Sequence, residues 1–303
     1  MKVGTPMILR EKLLKARTSD VHGFLPQELL SFALPARRTT EVSWTRHNGD
    51  LSYTVTAGAP KSAAGITTPE LPSGKYARAA LLFLCTEAKL TGSPIVTINE
   101  SYRSFIRDLG MEWQGAERSK EAIRQLMLIS TATFSVSGNY LDTNTGELNS
   151  RDDGARFSSS VDLWTTNQQS KISEHSTSTI TLSPLMMTMM DRAAPLSMKS
   201  WRWLLKNSKS PMALDVYAWL CGRLHRCENH GRVSWLQLYD QFGSTAPLPR
   251  FKQHFRAALD TALRVYPEAQ IKEDFGLSRT RGFKGFHLSP SPDPRDSKTP
   301  DEV

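Results

Sequence analysis

The side chains best suited to chemistry in this sequence are cations set at helical and hairpin spacing. Arg250, Lys252, His254, Arg256 and Arg264 are interleaved with Phe251, Phe255, Ala258 and Ala262, which recur at intervals of three and four. That spacing puts the apolar residues on one helix face and turns the basic ones elsewhere, with Lys252 at the border. Just downstream, Ser278-Arg279-Thr280-Arg281-Gly282-Phe283-Lys284 adds three cations at a tip between two strand-like stretches. Guanidinium groups grip guanine edges bidentately, and Arg and Lys both neutralise phosphates. The chemistry expected of this helix and tip together is recognition of duplex DNA. A second, weaker set lies at 116–129, where Arg118, Arg124 and Gln125 are expected to project from a helix, with Lys120 near its border. Glu117 and Glu121 share that surface, so pairs within the helix explain much of its charge.

Other chemistries find little support. Cys221, His225, Cys227 and His230 follow the pattern Cys-x3-His-x-Cys-x2-His, without the Cys-x2–4-Cys knuckle of a structural zinc site. They are expected to be core or surface residues, and no metal or cofactor is expected. Pro72-Ser73-Gly74-Lys75 lacks the first glycine and the final Ser/Thr of a phosphate-binding loop. There is no His-x-His pair for a metal-dependent nicking enzyme, no Gly-x-Ser-x-Gly and no His-Glu-x-x-His. The expected protein is therefore not an enzyme.

The chain has 303 residues, 39% of them hydrophobic and 22% charged, which suits two domains of ordinary size. The formal net charge of +8 favours polyanionic partners. Residues 223–288 carry eleven basic and six acidic side chains, so most of the surplus sits in the last quarter. Apolar runs such as 79–85 are too short to span a bilayer, and no apolar stretch of signal-peptide length follows the basic start. With only three cysteines, the expected compartment is the cytoplasm.

Residues 1–40 read as a flexible basic arm with a short helix over 7–16. In 41–182, strands over 41–44 and 51–57 flank the turn Asn48-Gly49. A helix is expected over 75–90, a strand over 95–98, a helix over 100–109 capped by Asn99 and stopped by Gly110, and a helix over 116–129 with Ile123, Leu126 and Met127 inward. A strand over 131–137, a polar loop over 138–154 and strands over 161–164 and 177–182 follow. Residues 210–288 repeat the series: helix 210–226, strand 232–234, helix 235–242 capped by Ser234, turn 243–249, helix 250–266, strand 269–275, basic tip 276–282 and strand 283–288. Each series is a helix-turn-helix followed by a β-hairpin, so the expected fold is α+β, with two tandem winged-helix domains. Between them, 183–209 carries Met186, Met187, Met189, Met190 and Met198, soft apolar residues fit for a packing seam or a dimer surface. The Pro-, Ser- and Asp-rich residues 289–303 are expected to form a disordered tail.

Two stretches carry a family likeness. One is Ser101-Tyr102-Arg103-Ser104-Phe105-Ile106-Arg107-Asp108-Leu109-Gly110, leading into the 116–129 helix. The other is Ser210-Pro211-Met212-Ala213-Leu214-Asp215-Val216-Tyr217-Ala218-Trp219-Leu220, then Arg223 and the helices at 235–242 and 251–263. Over about 40–288 the chain resembles the RepA-type plasmid replication initiators, a group that includes RepC-like proteins of broad-host-range plasmids. The resemblance implies binding to directly repeated origin sites (iterons), local melting of the origin, and recruitment of host replication proteins, the replicative helicase above all. It also implies a homodimer that represses and a monomer that initiates. By position, Arg250, Lys252 and Arg256 take the recognition-helix role in the second unit, and Arg118, Lys120 and Arg124 in the first. A transcriptional repressor of the same fold would be expected to carry one recognition unit plus a dimerisation or ligand domain. A nicking rolling-circle initiator would need the missing His-x-His pair.

Overall fold

The computed structural model describes residues 22–30, 32–59, 68–98, 105–107, 109–111, 116–141, 147–163, 178–224, 230–276, 282–297 and 299–300. They form a mixed α+β structure of helices and antiparallel sheets. The segment 22–40 is not the expected arm. Strand β1 (His22–Pro26) pairs with the later strand β9 (Ala193–Ser197), and helix α1 (Gln27–Leu30) follows it. Leu25, Leu29, Leu30, Ala33 and Leu34 are buried. A few apolar side chains among polar ones were enough to anchor this stretch, because β9 offers a strand to pair with. The helix expected over 7–16 lies outside the described residues.

Strands β2 (Ser43–Asn48) and β3 (Leu51–Thr56) form the expected hairpin, with Gly49 at φ 62° in its tight turn. Helix α2 (Gly74–Thr91) is buried along most of its length and ends at Gly92, a left-handed cap. Strand β4 (Ile95–Ile98) comes next. Of the helix expected over 100–109 only a turn at 105–107 is described, with Phe105, Ile106 and Leu109 buried. Helix α3 (Ala116–Thr131) then leads into strand β5 (Thr133–Leu141).

Here the structure departs from the expected polar loop. Leu148–Arg156 is a strand, β6, paired with β5 from Thr133↔Arg156 to Leu141↔Leu148. Its positions alternate between exposed and half-buried, and none is buried. A sheet edge like this has no core face, so no apolar alternation marks it in the sequence. Together β2, β3, β5 and β6 make a four-stranded sheet. Strands β7 (Ser158–Asp162) and β8 (Ser178–Leu182) follow, in a separate sheet of order β4-β8-β7.

Helix α4 (Pro184–Met190), strand β9 and helix α5 (Met198–Asn207) fill the stretch between the two halves. Met186, Met189 and Met190 are buried there, as are Trp201, Trp203, Leu204 and Leu205. The last quarter comprises helix α6 (Met212–Leu224), strand β10 (Gly231–Ser234), helix α7 (Trp235–Phe242), helix α8 (Leu248–Leu263), and strands β11 (Ile271–Asp274) and β12 (Gly285–Leu288). Its sheet runs β10-β12-β11. The same topology therefore occurs twice. The strand before the helix pair joins the last strand, and the last strand joins the one that precedes it. The first copy differs by the β5–β6 hairpin inserted between its second helix and its closing strands.

Most buried apolar residues from Leu25 to Leu288 belong to one continuous cluster that includes both copies, and Met127 and Leu128 form a small cluster beside it. Arg78, only 4% exposed, ties the parts together. Its guanidinium pairs with Asp215 of α6, Nε to Oδ1 and Nη to Oδ2, both at 2.6 Å. It also donates to the carbonyls of Leu34, Pro35 and Gly74. Such full satisfaction is what a buried guanidinium requires.

Residues 289–297 do not behave as the disordered tail that their composition suggests. Ser289 N donates to Gln270 O at 2.9 Å, Gln270 N donates to Ser291 Oγ at 2.9 Å, and Ser297 Oγ donates to Glu268 Oε2 at 2.6 Å. Hydrogen bonds to the α8–β11 connection hold this segment, and hydropathy does not report them.

Candidate nucleic-acid interface

The C-terminal copy mounts helix α8 on an aromatic core. Phe251 and Phe255 are fully buried, and Trp235 meets Phe255 and Phe286 edge-on at ring-centroid distances of 5.6 and 4.9 Å. Phe255 also touches Trp219 and Phe242. The preceding helix is fixed by a reciprocal cap. Ser234 Oγ accepts from Gln237 N, and Gln237 Oε1 accepts from Ser234 N at 2.8 Å. The turn between α7 and α8 begins at Gly243, with φ 50°, where a Cβ would overlap the Arg46 guanidinium. Arg46 stacks over Trp44 and donates to Gly243 O at 3.1 Å, and burial lowers its pKa to about 10. Tyr239 closes the turn by donating to Ala246 O.

On this mount the outer face of α8 presents Arg250, Gln253, His254 and Ala257, all exposed. The helix has no acidic residue in its first turn, so its positive end is not countered from within. The other expected contact residues are placed differently. Lys252 is half-buried, with Nζ 5.4 Å from the centre of the Trp235 ring. Arg256 lies over the same ring at 5.0 Å and pairs bidentately with Glu273 of β11, at 2.9 and 2.6 Å. The bond to Glu273 raises its pKa. Arg256 therefore fixes the closing hairpin against the helix. Arg264, past the end of α8, covers Trp203 of α5 at 4.9 Å. Lys284 is exposed at the base of the hairpin tip. Arg279 and Arg281 lie outside the described residues.

Two basic residues not singled out from the sequence share the sheet's outer side. Arg232 of β10 and Lys272 of β11 each stand opposite His287 of the middle strand. His287 Nε2 lies 2.9 Å from Asp274 Oδ2. Arg232 adjoins the buried Val233 and Lys272 adjoins Glu273, positions with no helical signature, so only strand register aligns them.

In the N-terminal copy α3 is sunk into the protein. Ala122, Ile123, Leu126, Leu128 and Ile129 are buried, and Ser119 with them. Gln125 does not project as expected, being 1% exposed. Its Oε1 accepts from Ser73 N at 2.8 Å and its Nε2 donates to Glu121. Arg124 is 15% exposed and paired with the buried Glu70, which also takes Arg38 at 2.8 Å. Lys120 pairs with Glu117 at 2.7 Å on the surface, and Arg118 is exposed. The open part of this helix is thus its first turn.

Among the described residues no group of three His, Cys, Asp or Glu could hold a metal. Cys221 is buried within α6, and His230 bonds Ser289 Oγ at 2.8 Å. His225 and Cys227 lie outside the described residues. No helix among the described residues is long and apolar enough to cross a membrane.

This geometry defines an α+β protein that repeats one helix-and-sheet unit and opens a basic helix on the second copy. Domains 2 and 3 of RctB, in a crystal structure of selenomethionine derivatives, share the fold with a TM-score of 0.51 at 11% sequence identity, over 89% of this chain and 99% of that one. Another crystal structure of RctB domains 2–3 aligns with a TM-score of 0.49 at 9% identity, over 88% and 97% of the two chains. No family model matches the sequence, and no curated protein matches it.

Proposed function

We propose that this chain is a plasmid replication initiator, a non-enzymatic protein that binds repeated sites in double-stranded origin DNA through two winged-helix units. The observation that carries this reading is the doubled topology with the open basic face of α8, in a fold shared with domains 2 and 3 of RctB, a replication initiator. In the second unit α8 enters the major groove and the closing hairpin rests on the backbone, while in the first unit the exposed opening turn of α3 is the part that reaches the duplex. One unit alone binds weakly. Joining two raises the effective concentration of the second and so the specificity of the pair. Several copies on successive repeats bend the duplex at a cost of about 1–6 kcal/mol, which their added contacts offset, and this strain promotes melting. Recruitment of host initiation proteins and the replicative helicase completes the proposal.

Footprinting on DNA flanking the gene is expected to show protection in repeats about one helical turn or a multiple of it apart. A plasmid bearing that origin is expected to replicate only when the protein is supplied. Replication in its absence overturns the initiator reading.

A further inference from the structure

Helix α8 carries one stripe of side chains that the rest of the protein leaves alone. Arg250, Gln253, His254 and Ala257 fall at i, i+3, i+4 and i+7, clear of the buried Phe251, Phe255, Ala258 and Ala262, and all four are exposed. Among the described residues no side-chain hydrogen bond, ion pair or ring contact involves Arg250, Gln253 or His254. The neighbouring cations are engaged. Lys252 and Arg256 lie over Trp235, Arg256 holds Glu273, and Arg264 covers Trp203.

Gln253 is the member of the stripe that neither helix stability nor charge explains. On a solvated helix a Gln contributes by bonding an Asp or Asn three or four residues away. Gln253 has Pro249, Arg250, Arg256 and Ala257 at those positions, and none offers its side chain as an acceptor. Phosphate neutralisation calls for a cation, which an amide is not. An amide does match the major-groove edge of adenine, where a donor and an acceptor stand side by side.

The spacing fits such a role. A helix rises about 1.5 Å per residue, so Gln253 stands about 4.5 Å along the axis from Arg250. Base pairs along one strand are about 3.4 Å apart, so the two side chains reach bases one or two steps from each other. Ala257, in the following turn, adds only a methyl group that leaves the approach to Gln253 open. Asp260, one turn further on, is exposed, and its charge repels phosphates. The duplex therefore lies over the part of α8 ahead of Asp260.

We propose that Gln253 is a specificity-determining residue that reads one adenine in the major groove. Its Nε2 donates to adenine N7 and its Oε1 accepts from the adenine N6 amino group. Arg250 reads a guanine one or two base steps away, donating to O6 and N7. This rests on the DNA-binding function above and adds to it a sequence requirement: a guanine and an adenine at fixed spacing within each site.

The test uses the full chain and two duplexes of equal length, the footprinted one and a scrambled one. In the footprinted duplex each adenine and each guanine is replaced in turn by its 7-deaza analogue, which lacks the N7 acceptor. Wild-type protein is expected to lose affinity at one adenine and at a guanine one or two steps from it. Q253A is expected to bind the unmodified footprinted duplex roughly fivefold to 150-fold more weakly. It is also expected to be indifferent to 7-deazaadenine at that position while still sensing the guanine, and R250A is expected to show the reverse. Binding of Q253A to the scrambled duplex, and the slope of log K against log salt, are expected to stay at wild-type values, because no phosphate contact is lost. Thermal melting controls for folding, and removal of an exposed side chain leaves the midpoint close to wild type. If Q253A keeps the wild-type sensitivity to every 7-deazaadenine, or weakens both duplexes equally, the proposal is overturned and the initiator reading stands. A wild-type chain that does not prefer the footprinted duplex to the scrambled one removes the sequence-specific DNA-binding reading, and the proposal with it.

Discussion

The two units share a strand order and part company at the helix after the turn. In the second unit, α8 rests its Phe251 and Phe255 on Trp235 and Phe286 and leaves Arg250, Gln253 and His254 in the open. In the first, α3 is covered along most of its length, and Arg124 and Gln125 are spent on Glu70, Glu121 and Ser73. The inserted β5–β6 hairpin follows α3 directly and joins it to a sheet that the second unit lacks. One topology therefore supports two degrees of access. Counting cations along a helix does not distinguish them, because the deciding factor is which other element lies across it.

The largest effect is expected where the units are joined. R78M leaves Asp215 buried without its partner, at a cost of about 3–5 kcal/mol in urea unfolding. R78M/D215L removes both charges and is expected to recover most of that loss. Equal destabilisation in the double variant would mean that the pair is not what couples the halves.

The inequality of the two helices comes next. R250A is expected to lose about 1–3 kcal/mol on the footprinted duplex if its guanidinium reads a base. R118A is expected to lose less. An equal or larger loss from R118A, measured in the same gel-shift titration, would reverse the ranking of the units.

A smaller effect concerns the mount of α8. S234A removes the reciprocal cap of α7 and is expected to cost about 1 kcal/mol of stability, read from the melting midpoint. The smallest concerns Arg256. Because this side chain is 43% exposed, E273Q is expected to cost less than about 1 kcal/mol of stability. It is also expected to change DNA affinity less than R250A. A larger affinity change would move Arg256 from supporting the hairpin to touching DNA.

Much of the second unit was legible in its sequence. The 3–4 spacing of Phe251, Phe255, Ala258 and Ala262 announces the buried face of α8, and Ser234 announces the start of α7. Periodicity works there because each element has one face in the core. It fails at β6, which has none, and at 289–297, where hydrogen bonds rather than apolar burial hold the chain. It also fails for the partners of Arg124 and Arg256. Glu70 and Glu273 stand 54 and 17 residues away from them, and only the folded chain shows that these cations are already engaged.

The Arg78 junction also sets an order of assembly during synthesis. Its carboxylate partner lies 137 residues further along the chain. At about 5–20 residues per second, a ribosome takes on the order of ten seconds to reach Asp215 after Arg78 has been made. Throughout that interval the Arg78 guanidinium of the nascent first unit has no Asp215 to meet, so its set of hydrogen bonds is completed only after the second unit's first helix emerges.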